Sequence, residues 1–323
     1  MTHVEARVMP TAPVPAIEAV QGFVPRRSVA IEEVADRMGI NRHQLRLFQR
    51  VHGLARLPMD PDLDLIDLLS TPARALVPTA ADRDRIRYLI YAHTAPDVAP
   101  AHVSTAQELC RRLDLPKAEA FAVTQQNCAS GLAAVDVAVQ LLLADGDPEA
   151  RALVVTGEKP TSRIFSVIPN TTLMGEGSAA CLVGVGGAGR RIRSYAVRTR
   201  GEYAQLYRPQ PDVLADFFTS YTPTVVEILR QAVHEAGLRP EEITMIVPHN
   251  VNNSSWRSVI RELGFGVERI YLDNVPRLGH CFGSDPFINL ASMRDEGRLR
   301  DDGVYLLAAV GLGATYAAMV IGG

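Results

Sequence analysis

Residues Phe121–Leu132 read FAVTQQNCASGL. An apolar strand-like run enters a polar turn, meets a cysteine, and continues into a helix of small residues. That order sets the Cys128 sulfur at a helix N-terminus, where the positive end of the helix dipole stabilises negative charge. Ala129, Ser130 and Gly131 are small and leave room for a substrate to approach the sulfur. A solitary free cysteine is ordinarily a buried apolar residue. The strand–cysteine–small-residue helix turns the reading toward a nucleophile.

The surroundings alternate in the same way. Ile86–Ala92 predicts a strand, Ser104–Leu113 a helix, Ala120–Thr124 a strand and Gly131–Leu143 an apolar helix. Strands are expected at Ala152–Thr156, Ala179–Val185, Met245–Val247, Val304–Val310 and Tyr316–Ile321. Helices are expected at Tyr221–Ala236 and Asn253–Leu263, ended by Gly237 and Gly264. Near the start, residues 1–25 read as an extended lead-in. A helix follows at Ala30–Met38, capped by Ser28, then one at Asn41–His52 and one at Asp62–Leu69 stopped before Pro72. Strands alternating with helices predict α/β layers around largely parallel sheets. A strand–helix order recurs in each half of the chain, which suggests domains at 1–187 and 188–323.

Composition narrows the classes. With 323 residues, 47% of them hydrophobic, the chain is long enough for a large core, and a net charge of -3 gives no basic excess for nucleic acid. Cys110, Cys128, Cys181 and Cys281 form no C-x-x-C pair, so neither zinc nor a disulfide framework is indicated. A reducing, cytoplasmic setting follows as an expectation. The N-terminal MTHVEARVMP lacks a signal-peptide pattern, and the apolar C-terminus VYLLAAVGLGATYAAMVIGG, broken by glycines, reads as two strands rather than a membrane span.

Three further segments bear on chemistry. In TMIVPHNVNN (244–253) a short strand delivers His249 ahead of a helix, suited to a base or an oxyanion donor. In LGHCFGSDPFINL (278–290) His280 precedes Asp285 by five residues, so a base and an orienting carboxylate lie close in sequence. Asp285 also reads as a turn former before Pro286. In AAVGLGATY (308–316) a glycine-rich turn between strands can aim backbone N–H groups into a site, or simply close a hairpin. GEGSAACLVG (175–184) lacks the Lys-Ser/Thr ending of a phosphate loop and runs into a strand, which excludes nucleotide binding there.

Taken together and in order, NCASGL, GEGSAACLV, VPHNVN, LGHCFGSDPFINL and GLGATYAAMVI resemble beta-ketoacyl-[acyl-carrier-protein] synthase III and its relatives in the thiolase-like superfamily. The resemblance implies an α/β fold of five layers, α/β/α/β/α, in two pseudo-equivalent halves, with a homodimer as the usual assembly. It implies an acyl-cysteine loaded from coenzyme A or an acyl carrier protein, with no tightly bound cofactor. Cys128 matches the family nucleophile and His249 the first catalytic histidine. The backbone of Cys128, and of the Leu312–Gly313 region, matches the oxyanion-hole donors.

This sequence departs from the family twice. His280 stands where the synthases carry an Asn, and Ser254 stands where they carry an Arg. Arg257, one turn along, and Asn252 are candidates for contacting phosphopantetheine or the carrier. The Asn-to-His change leaves two options. His280 and His249 together suit stabilising an enolate after malonyl decarboxylation. Alternatively Cys128–His280–Asp285 resembles the triad of divergent relatives that transfer acyl groups to a hydroxyl, amine or thiol in specialised metabolism. Asp285 favours the second. A decarboxylating ketosynthase and a non-catalytic partner subunit of a heterodimeric synthase are the other readings.

Overall fold

The structure is a computed structural model that describes residues 13–96, 98–100, 102–160, 162–205 and 210–323. Nine strands make its main sheet: β1 (Ala16–Phe23), β2 (Ile86–Ala92), β3 (Glu119–Val123), β4 (Arg151–Glu158), β5 (Gly177–Gly184), β6 (Arg190–Thr199), β7 (Met245–Pro248), β8 (Val304–Gly311) and β9 (Thr315–Gly322). Their order is β7-β8-β9-β6-β1-β5-β4-β2-β3. The expectation of largely parallel pairing is corrected. Only β2–β3, β2–β4 and β7–β8 run parallel. The short connection between β8 and β9 forces antiparallel neighbours, because a parallel pair needs a long crossover, and β1 runs antiparallel to both β5 and β6, between which it lies.

Six helices matter for the site: α1 (Leu65–Leu76), α2 (Thr105–Arg112), α3 (Ser130–Asp145), α4 (Pro211–Glu235), α5 (Asn253–Leu263) and α6 (Asp285–Asp295). Alternation along the strands sorts them into layers. In β8, Tyr305, Leu307 and Ala309 join the core around α3 and α6, whereas Leu306, Ala308 and Val310 pack toward α4 and α5. In β2, Tyr88, Ile90 and Ala92 face the same central helices, and Leu89 and Tyr91 face α1 and α2. β1 meets β6 through only two residue pairs, Ala16↔Arg191 and Ile17↔Arg190. The two parts of the sheet therefore wrap the central helices, giving five α/β/α/β/α layers. Each large apolar side chain buried in these layers contributes about 1.5–3 kcal/mol.

Three local expectations fail for physical reasons. Pro72 does not end a helix; it sits inside α1. The carbonyl that Pro72 cannot serve, that of Leu68, accepts the Ser178 hydroxyl at 2.6 Å instead. Ser28 is not a cap but a strand residue paired with Pro58, and the helix begins at Ile31. Residues 16–23 of the supposed lead-in form a central strand, while residues 1–12 lie outside the described residues. Asn253–Leu263 matches its expected bounds, with Asn252 capping one end and Gly264 at φ 76° closing the other.

Candidate active site

β3 ends at Val123, and the chain turns sharply into α3. Gln125 and Asn127 both take positive φ, 69° and 50°, a region that costs L-residues energy and marks a constrained turn. Helical bonding begins with Ala129 N–H donating to the Gln126 carbonyl, so the Cys128 N–H lies ahead of that ladder. The Asn127 side-chain amide donates to the Leu312 carbonyl, tying the β8–β9 turn over the nucleophile. Gly311 permits this approach: a Cβ there would lie 1.9 Å from the Gln126 carbonyl oxygen. Gly131 does the same on the other side, where a Cβ would lie 2.6 Å from the Gly283 carbonyl oxygen.

The segment before α6 brings the base. The His280 N–H donates to the Leu173 carbonyl and its carbonyl accepts from Gly175, which fixes the backbone on both sides. His280 Nε2 lies 3.1 Å from Cys128 Sγ, and its Nδ1 bonds the Asp285 carboxylate. Asp285 is the first residue of α6 and fully buried. Its carboxylate also accepts the backbone N–H groups of Asn250 (2.6 Å) and Cys281 (2.8 Å) and the Asn250 side-chain amide (3.2 Å). Asn289 in turn holds the Asn250 side chain at 2.8 Å. A carboxylate so fully satisfied is rigid. Burial opposes charge on His280. The adjacent Cys128 and Asp285, with their hydrogen bonds, outweigh it and push the imidazole up to about 10.

His249 follows β7, and its ring centroid lies 5.5 Å from that of His280. Trp256 donates its indole N–H to the His249 carbonyl at 2.8 Å and packs edge-on against the ring. Burial, then the charge on His280, hold His249 well below the ordinary imidazole range, so it is neutral. Its Nδ1 is buried and has no partner among the described residues, leaving Nε2 for a substrate in the cavity that the ring lines.

That cavity has a volume of about 850 Å³. Leu214, Phe217, Phe218 and Tyr221 of α4 supply an apolar wall, and Gln44, His52, Asn170, Ser254 and Ser258 a neutral polar one. Cys128, His249, His280 and Leu312 all line it; Gly313, at φ 122°, follows in the adjoining turn. The structure thus brings Cys128, His280, Asp285 and His249 together, with the Leu312–Gly313 turn beside them. It does not bring Arg257 there: Arg257 is exposed and lines no part of the cavity, because α5 turns its serines inward. Asn252 does line it, but as a helix cap. Its Oδ1 accepts from Ser255 N and Ser254 Oγ, and its Nδ2 donates to the Thr171 carbonyl.

Sequence reading missed Asn250, which lies inside the quoted VPHNVN, and Thr94, whose Oγ1 sits 3.9 Å from Cys128 Sγ. It also missed Glu158, a fully buried carboxylate that follows the apolar run ALVV at the end of its strand; that oddity was the available signal.

Comparison with known proteins agrees with this layout. Residues 233–322 match the family described as 3-oxoacyl-[acyl-carrier-protein (ACP)] synthase III C terminal. The beta-ketoacyl-[acyl-carrier-protein] synthase III of Staphylococcus haemolyticus is 27% identical, but the match spans only 52% of this chain and 56% of that one. That of Syntrophomonas wolfei is 23% identical over 85% of this chain and 88% of that one. The solved acyltransferase ChlB3 superposes with a TM-score of 0.84 at 19% identity, covering 96% of this chain and 98% of the other, a likeness of fold. In its ordered motifs the chain is similar to the beta-ketoacyl-[acyl-carrier-protein] synthase III proteins, and in its layered α/β architecture it shares the fold of that solved structure.

Proposed function

We propose that the protein is an acyltransferase working through an acyl-Cys128 intermediate. The observation that carries this reading is the Cys128–His280–Asp285 line: Nε2 at 3.1 Å from the sulfur, with Nδ1 bonded to a buried carboxylate. Cys128 Sγ attacks the carbonyl of an acyl-CoA or acyl-carrier-protein thioester. A new C–S bond forms, the old one breaks, and the departing thiolate takes the proton from His280. Acylation removes the negative charge that raised His280, so the imidazole then acts as a base on a hydroxyl, amine or thiol acceptor. In this reading the N–H groups of Cys128 and Gly313, with His249 Nε2, stabilise the oxyanion.

Asp285 weighs against decarboxylative condensation. It fixes the Nδ1 proton, so neutral His280 presents a lone pair at Nε2, and a lone pair repels an enolate oxygen. The test is intact mass after incubation with a panel of acyl thioesters. An adduct in the wild type and none in Cys128→Ala, followed by its discharge on adding an acceptor, supports the reading. Carbon dioxide release from a malonyl thioester at the rate of product formation would overturn it in favour of a ketosynthase.

A further inference from the structure

In the transfer step proposed above, His280 has two tasks that one nitrogen cannot perform together. At rest its Nε2 partners the Cys128 sulfur. During transfer Nε2 must take the acceptor's proton, while the sulfur becomes a leaving group. The thiolate then needs a different hydrogen-bond donor.

A second donor stands within reach of the sulfur. Thr94, in the turn after β2, is 5% exposed, and its Oγ1 lies 3.9 Å from Sγ. Its position is set by Glu158 at the end of β4. The Glu158 carboxylate accepts the backbone N–H of Thr94, and that of Ala95 at 2.7 Å. It also faces the Thr94 hydroxyl. Glu158 is 1% exposed and has no cationic side chain bonded to it among the described residues. A buried carboxylate with no bonded cation, and only the more distant His280 charge acting on it, is costly, and that cost is accepted here beside the nucleophile.

We propose that Thr94 is a catalytic residue, donating its hydroxyl hydrogen bond to the Cys128 sulfur as thiolate leaves, and that Glu158 is its positioning residue. The step balances. The acceptor's oxygen, nitrogen or sulfur forms a bond to the acyl carbon, and its proton goes to His280 Nε2. The acyl C–S bond breaks, its electron pair stays on Cys128 Sγ, and the Thr94 O–H points at that charge. Burial raises Glu158 to about 7 against the opposing N–H groups of Ala95 and Thr94. A protonated Glu158 would donate to Thr94 Oγ1 and leave the Thr94 hydrogen free for sulfur.

This inference rests on the acyltransferase reading for its role but not for its test. Alkylation by iodoacetamide reports the state of the Cys128 sulfur without any acyl transfer. At pH 7, Thr94→Val should alkylate at Cys128 about 10-fold more slowly than wild type, and Thr94→Ser should stay within about twofold. A purely structural role for Thr94 predicts no rescue by serine. Thr94→Ala serves if the valine variant misfolds, with thermal melting as the check on folding. With any donor that loads the enzyme, discharge of the acyl group should slow in Thr94→Val and recover in Thr94→Ser. Equal alkylation rates in wild type, Thr94→Val and Thr94→Ala would overturn the proposal.

Discussion

One oxygen of Asp285, Oδ2, bonds His280 Nδ1 and accepts the backbone N–H of Asn250 as well. The carboxylate is thus held by the strand end that also delivers His249, so both histidines share one support. Asp285→Asn keeps the shape and loses the charge, and its amide can turn a donor toward Nδ1. Acyl transfer should fall by about 10³–10⁴-fold, as when an orienting carboxylate is replaced elsewhere. Single-turnover discharge of the acyl-enzyme measures it. A loss below tenfold would show that His280 does not depend on this partner.

Stability should follow the two histidines in opposite directions. His280 holds its proton in the fold up to about 10, against an ordinary 6.5. Its contribution is whole below 6.5 and drains as pH rises toward 10. His249 is held below its ordinary value by burial first and by His280 second, so its penalty appears as pH falls below 6.5 and the unfolded chain takes up a proton. Melting temperature against pH should therefore decline more gently between pH 7 and 10 in His280→Asn than in wild type. Parallel curves would sink this account.

Ser178 and Pro72 form a compensating pair across β5 and α1. Ser178→Ala leaves the buried Leu68 carbonyl unsatisfied and should cost about 1–3 kcal/mol in urea denaturation. Adding Pro72→Ala restores an N–H to that carbonyl, so the double variant should recover part of the loss. If the two effects simply add, the hydroxyl is not replacing the missing N–H.

Gly311→Ala drives a Cβ to 1.9 Å from the Gln126 carbonyl oxygen. The hairpin must lift off the nucleophile turn, at a cost of about 1–3 kcal/mol. Acyl-enzyme formation should fall further than stability alone explains, because the Gly313 N–H moves with the turn. Unchanged loading kinetics in a folded Gly311→Ala would exclude the hairpin from the oxyanion site.

The elements easiest to read were those with local punctuation. Asn252 and Gly264 bracket α5 within the sequence itself. β6 was missed because RRIRSYAVRT carries four arginines on a half-buried strand and lacks an apolar run. α6 was missed because Phe287, Ile288, Leu290, Ala291 and Met293 are buried around the helix, which leaves no one-sided pattern. At the site, Cys128, His249, His280 and Asp285 were legible through motif order. Thr94 and Glu158 were not, since 64 positions separate them and only the packing of β2 beside β4 unites them. Arg257 was named from helical spacing alone, which does not say which face a residue occupies, and it stands exposed outside the cavity lining.

The bond from Asn127 to Leu312 spans 185 positions, and that from Cys128 to His280 spans 152. During synthesis, the sulfur therefore emerges long before its base, and the turn that roofs it later still. The paired sulfur and imidazole therefore exist only in the folded protein, where segments far apart in the chain meet.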